Sequence, residues 1–160
     1  MHPSLIKMRC LIIYKSVHHG NTEKIAEVMA EALNADIKKV EEVGKEEMQE
    51  YDIIGMGSGI FFGKHHRSLL EFVDSLPPMD GKEVFIFSTR GGTPTWLNHR
   101  ALRKRLRKKG FRIIGEFSCK GYDTFGILKY IGGINKGRPD EKDMDKARKF
   151  ARKISKIMGC

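Results

Sequence analysis

The seven residues Ser16-Val17-His18-His19-Gly20-Asn21-Thr22 bring two hydroxyls, a side-chain amide, two imidazoles and a run of backbone N–H groups into one short turn. An apolar run, Leu11 to Tyr14, precedes the turn, and an amphipathic pattern begins at Glu23. A strand that feeds a polar turn and then a helix is suited to holding an anion. The first N–H groups of a helix lack partners, and the helix dipole adds positive potential at that end. A phosphate group is the expected ligand. The turn has neither a G-x-x-x-x-G-K-[ST] loop nor a G-x-G-x-x-G fingerprint, which excludes the common triphosphate and dinucleotide loops.

The histidines come in pairs, His18-His19 and His65-His66. Zinc requires three or four ligands in fixed geometry, and adjacent residues seldom both reach one ion, so no metal site is expected. One or two of the imidazoles are read instead as donors to a phosphate or as lining of the entrance. Protonation near pH 6 would then strengthen phosphate binding. Cys10, Cys119 and Cys160 are widely spaced and odd in number, which suits reduced thiols rather than a disulfide framework.

The elements that must position these groups alternate between strand and helix, which argues for a parallel sheet covered on both faces. Five strands are predicted: Met8 to Tyr14, Asp36 to Val40, Tyr51 to Gly57, Glu83 to Ser88 and Arg112 to Cys119. Asp36 to Val40 is polar, as an edge strand would be. Four helices lie between and after them, the third opening at Thr93-Pro94 and closing at Gly110, the fourth capped by Asp140. Lys120 to Pro139 is a long, glycine-rich connection, either a lid or a surface loop packed by its own side chains.

The chain has 160 residues, enough for one domain with a proper core, preceded by a short tail over residues 1–7. No apolar run is long enough to span a membrane and no hydrophobic signal core is present, so a cytoplasmic protein is expected. The 30 Lys and Arg outnumber the 20 Asp and Glu, giving a net charge of +10. Much of the excess lies in His99 to Lys109 and in the last helix, where a solvated basic face is the reading; no nucleic-acid module or aromatic interleaving accompanies it.

Strand, Tyr14, Ser16, then Gly20-Asn21-Thr22 and Ala26 resemble the signature of the flavodoxins, whose turn wraps the phosphate of FMN. The turn is one residue longer than usual, with the three residues Val17, His18 and His19 between Ser16 and Gly20. The stretch Asp52-Ile-Ile-Gly-Met-Gly-Ser-Gly-Ile-Phe-Phe-Gly63 is similar to the second loop of that family. The resemblance implies an α/β/α sandwich with a five-stranded parallel sheet in the order 2-1-3-4-5. Ligands bind such sheets beyond the carboxyl ends of the strands, where the winding reverses.

The resemblance further implies that Ser16 to Thr22 hold the FMN phosphate, and that Ser58, Gly59, Ile60, Phe61, Phe62 and Gly63 border the ring. Phe61 or Phe62 would be an apolar wall or a core side chain. Gly63 matches the glycine whose peptide flips when flavin N5 gains a proton, a motion made cheap by the missing Cβ. Ser88, Thr89, Arg90, Gly91 and Gly92 would approach the pyrimidine edge, with Arg90 near N1 and O2. Trp96 would cover the outer ring face or anchor its helix. Cys119 reads as a small buried hydrophobe.

A carrier of one or two electrons between redox proteins is the leading expectation, because no acid or base in the sequence demands more chemistry. Partners with acidic surfaces would suit its charge. The alternative is an enzyme of the same fold: an NAD(P)H-dependent FMN or quinone reductase, or a protoporphyrinogen-oxidase-like protein. A phosphoacceptor receiver is excluded, since Lys15-Ser16 and Gly57-Ser58 stand where it needs carboxylates.

Overall fold

The computed structural model describes residues 8–17, 20–121 and 135–157. Its strands are β1 (Cys10–Lys15), β2 (Asp36–Lys39), β3 (Ile53–Phe61), β4 (Lys64–His65), β5 (Glu83–Arg90) and β6 (Arg112–Lys120). All but β4 run parallel in one sheet of order β2-β1-β3-β5-β6, and β4 pairs antiparallel with β3. With the two-residue β4 set aside this is the expected order, and the polar β2 does lie at an edge.

Alternation along the strands builds two cores, because successive side chains of a strand point to opposite faces. Leu11 and Ile13 of β1 face one way, packing with Leu69 and Val73 of α2 (Arg67–Asp74) and Leu102 and Leu106 of α4 (Arg100–Lys108). Ile12 and Tyr14 face the other. They join Ile25 and Met29 of α1 (Asn21–Leu33) and Ala147, Ala151 and Ile154 of α5 (Glu141–Ile157). Burying both faces of the sheet is what makes β1, β3 and β5 near-continuous apolar runs.

Gly55 and Gly57 of β3 are part of this packing. A Cβ at Gly55 would stand 2.3 Å from the Phe85 ring, and one at Gly57 2.4 Å from the Phe87 ring, so β3 supplies the space that two aromatic rings of β5 fill.

Two elements differ from the sequence expectation. Strand β3 does not end at Gly57 but runs to Phe61 and turns back into β4, pairing Ile60 with His65 and Phe61 with Lys64. The turn residues Phe62 and Gly63 both have positive φ, 53° and 74°. Two consecutive residues of that kind make the tight hairpin turn whose twist matches that of paired strands. The third helix is also not one helix. Pro94 itself is the cap (φ −71°), a single turn α3 (Thr95–Asn98) follows, and α4 begins after a break at His99.

The cap of α5 is as expected. Asp140 Oδ1 accepts the Asp143 N–H at 3.0 Å and Asp143 Oδ2 accepts the Asp140 N–H at 2.9 Å, a reciprocal closure of the helix start. Among the described residues no helix is long and apolar enough to cross a membrane.

Candidate functional site

Four connections converge beyond the carboxyl ends of β1, β3, β5 and β6. The Thr22 and Thr89 hydroxyls, both buried, lie 2.8 Å apart and join the first turn of α1 to the end of β5. A Cβ at Gly59 would stand 3.9 Å from Thr22 Oγ1, and one at Gly121 2.7 Å from Asn21 Nδ2. The Gly121 N–H donates to the Arg90 carbonyl (2.9 Å), and Asn135 Nδ2 donates to the Gly91 carbonyl (3.2 Å). The hairpin tip reaches α3, because a Cβ at Gly63 would lie 3.9 Å from Leu97 Cδ2. Chain geometry thus brings parts of the three loops to one end of the sheet.

At the anion end, Gly20 takes a left-handed φ of 63° and leads the backbone into α1. Ser16 Oγ accepts the Glu23 N–H at 3.2 Å, which satisfies one open donor of the helix and leaves the hydroxyl proton available to a ligand. Val17 is exposed. His18 and His19 lie outside the described residues, as do residues 122–134 of the long connection.

At the other end the serines turn inward. Ser58 is buried, its hydroxyl donating to the Gly59 carbonyl (2.6 Å) and accepting the His66 N–H (2.8 Å). The Ser88 side chain is also buried, 2.7 Å from His99 Nε2 and 2.9 Å from Ser118 Oγ. Neither hydroxyl faces outward, so a role for Ser58 or Ser88 in holding a ligand falls to the backbone. Ile60 and Phe61 are partly buried in the hairpin, and Phe61 meets the His66 ring edge-on at 5.2 Å.

Exposed apolar surface stands on the same connections. Among the described residues the large hydrophobic side chains left exposed are Val17, Phe62 (85 %), Trp96 (66 %), Leu97 and Ile157, and four of these five stand on the converging loops or α3. Of the two candidate walls, Phe62 is the outward one. Gly91 and Gly92 continue the chain between Arg90 and α3, Gly92 with open space about it.

Two polar atoms of this region are buried without a hydrogen-bond partner, Arg90 Nε and Asn98 Oδ1. Arg90 otherwise reaches the Thr93 carbonyl through Nη1 at 3.4 Å, and Asn98 Nδ2 donates to the same carbonyl at 3.1 Å. An unpaired buried donor and acceptor on one loop cost stability and fit a ligand with polar edges. The donor set therefore fits a flavin mononucleotide: a helix amino end for a phosphate, an apolar platform, and a donor–acceptor pair for a heterocycle. Asn98 was not legible as part of this, because nothing local distinguishes it from any helix-turn asparagine.

Of the four paired histidines, His65 and His66 are the two described, and both are tied into the fold. The His65 ring is fully buried, with Nε2 3.0 Å from the Phe87 carbonyl and Nδ1 without a hydrogen-bond partner, and burial together with nearby His99 pushes its pKa down to about 3. His66 caps α2, its Nδ1 accepting the Ser68 N–H at 3.0 Å; burial, then the Lys15 charge, lowers its pKa. Cys119 packs in the core, where burial pushes its thiol up to about 12, the state of an inert side chain. A cleft of about 610 Å³ opens at the amino ends of the strands instead, among Asp52, Asp80, Lys82, Glu83 and Arg112, with little apolar wall for a ring.

An α/β/α sandwich whose parallel strands run in the order β2-β1-β3-β5-β6 defines a protein of the doubly wound class. Residues 11–125 match the family model described as "Flavodoxin domain". The chain belongs to the flavodoxin family. It is 51 % identical to an uncharacterized protein of Methanocaldococcus jannaschii, covering 93 % of this chain and 99 % of that one. Among solved structures it is similar in fold to a flavodoxin from the domain Archaea (TM-score 0.71, 19 % identity, 96 % of this chain and 100 % of that one). Flavodoxin 2 of Bacillus cereus is similar too (TM-score 0.72, 23 % identity, 93 % and 99 %).

Proposed function

We propose that this protein binds FMN at the carboxyl ends of its strands and carries one or two electrons between partner proteins. The observation that carries the reading is that the α1 amino end, the exposed Phe62 and Trp96, and the buried unpaired Arg90 Nε and Asn98 Oδ1 all stand on segments at the carboxyl ends of β1, β3 and β5. Family membership supports the choice of ligand. FMN supplies the redox chemistry when bound; the chain orients it and sets its surroundings.

In this reading the N–H groups of Gly20 to Thr22 and the Ser16 hydroxyl hold the phosphate, with Val17, His18 and His19 completing the turn. Phe62 and Trp96 exclude water from the ring faces. Arg90 donates to the pyrimidine edge, where its charge favours negative charge on the reduced ring. Gly59 and Gly63 keep the hairpin backbone close to the ring, and Thr89, Gly91 and Gly92 shape the third side.

Charge is segregated across the sheet. Ten of the twenty carboxylates fall within residues 23–52, around α1 and the β2 edge, whereas α4 and the start of β6 carry eight basic side chains between Arg100 and Arg112 and no acid. An acidic partner surface is therefore steered toward the β6 side and repelled from the β2 side.

The test is a flavin titration of the purified protein followed by stepwise anaerobic reduction. Tight FMN binding with reduction that depends on an added electron-donor protein supports the carrier. Direct bleaching by NADPH supports the reductase alternative, and failure to bind FMN overturns the reading.

A further inference from the structure

The break between α3 and α4 falls at His99, whose side chain meets both β5 and β6. Its ring is fully buried, with Nε2 2.7 Å from Ser88 Oγ of β5 and Nδ1 2.9 Å from Glu116 Oε1 of β6. Glu116 is itself held by a two-point bond from Arg103 of α4, Nε to Oε2 at 3.0 Å and Nη2 to Oε1 at 2.7 Å. The His65 ring of β4 lies 5.0 Å away. One imidazole thus ties the α3–α4 joint to two strands and, through Glu116, to the next turn of its own helix.

The chemistry of the tie fixes the ring. A carboxylate facing Nδ1 calls for Nδ1–H, and Nε2 lies within hydrogen-bond distance of the Ser88 hydroxyl. Both nitrogens thus face a polar partner, which orients the ring in a way that an apolar side chain of the same volume could not. Trp96 stands one helical turn before His99 and Leu97 two residues before it, so the orientation of α3 follows from the anchoring of His99. A four-residue helix has almost no stability of its own and takes its position from such contacts.

We propose that His99 is a positioning residue: bridging Ser88 and Glu116, it sets the orientation in which α3 presents Trp96 to the ligand crevice. This rests on the FMN reading for its consequence, but not for its first measurement. Trp96 is the sole tryptophan, so its fluorescence reports α3 alone, with no flavin present.

The experiment compares the wild-type protein with His99→Leu, His99→Gln and Ser118→Ala. Ser118 touches Ser88 but not His99. In FMN-free protein the Trp96 steady-state anisotropy should fall clearly in His99→Leu. It should recover in part in His99→Gln, whose amide can still meet Ser88, and stay at the wild-type value in Ser118→Ala. FMN affinity should fall by about tenfold in His99→Leu and by less in His99→Gln. If His99→Leu does not fold, the drop in anisotropy and affinity in His99→Gln against Ser118→Ala carries the test. Wild-type anisotropy in the folded His99 variants, or an equal drop in Ser118→Ala, overturns the proposal. Loss of anisotropy in a protein whose wild type binds no FMN supports the role of His99 and overturns only the ligand.

Discussion

The hydroxyls of Thr22 and Thr89, 67 residues apart in the chain, lie 2.8 Å from each other in the buried space between α1 and the end of β5. This bond locks the anion end of the crevice to its third loop. Replacing Thr89 by Val strands the Thr22 hydroxyl, and a buried unsatisfied group costs about 1–3 kcal/mol. Urea unfolding should show that loss for Thr89→Val and a recovery of part of it in Thr22→Val/Thr89→Val.

Arg90→Met should act oppositely on stability and binding. The apolar chain keeps the stem while removing a donor that has no partner, so the FMN-free protein should unfold at the same urea concentration or higher. FMN affinity should drop by about tenfold or more, the scale of one charged hydrogen bond. Equal affinities would show that Arg90 faces no ligand.

Gly57→Ala should cost about 1–3 kcal/mol, since its Cβ would penetrate the Phe87 ring and force the strand or the ring to move. Shrinking the ring in Gly57→Ala/Phe87→Leu should cost less than the two single changes added together. Simple additivity in chemical unfolding would contradict the contact.

Gly63→Ala places a Cβ on a residue with φ of 74°, a strain of about 1–2 kcal/mol. The hairpin tip should lose that much stability. In a reductive titration of the FMN-loaded protein the share of flavin found one-electron reduced should fall; an unchanged share would remove Gly63 from redox tuning.

Acid should destabilise the fold before the carboxylates titrate. The His65 pKa is lowered to about 3 in the folded chain from 6.5, first by burial and then by His99, so the unfolded chain takes up a proton that the folded one refuses. Stability from this group is whole above pH 6.5 and falls as pH drops below it, by about 1.4 kcal/mol per unit. His99, lowered mainly by burial and partly restored by Glu116, adds to the slope in the same direction. Unfolding free energies between pH 7 and 5 should therefore fall less steeply in His65→Leu, by about one proton's worth.

The amino-acid sequence by itself determined the parts of this protein that are local. Alternating apolar runs set the strands, the polarity of Asp36 to Lys39 marked the edge, Asp140 marked the start of α5, and Ser16 to Thr22 marked an anion-binding turn at a helix end. Each depends on residues a few positions apart, where periodicity and capping chemistry leave a direct trace. Tertiary structure alone decided which polar groups face inward. Ser58, Ser88 and Ser118 share one row only because β3, β5 and β6 pair in that register. His99 stood in what read as a basic helix, and only the packing of α3 and α4 on that row put its two nitrogens against Ser88 and Glu116. The extension of β3 to Phe61 had the same origin, a pairing with β4 that no single strand's pattern contains. Hydrogen bonds between distant segments are fixed by how the layers stack, and a chain carries that information only when folded.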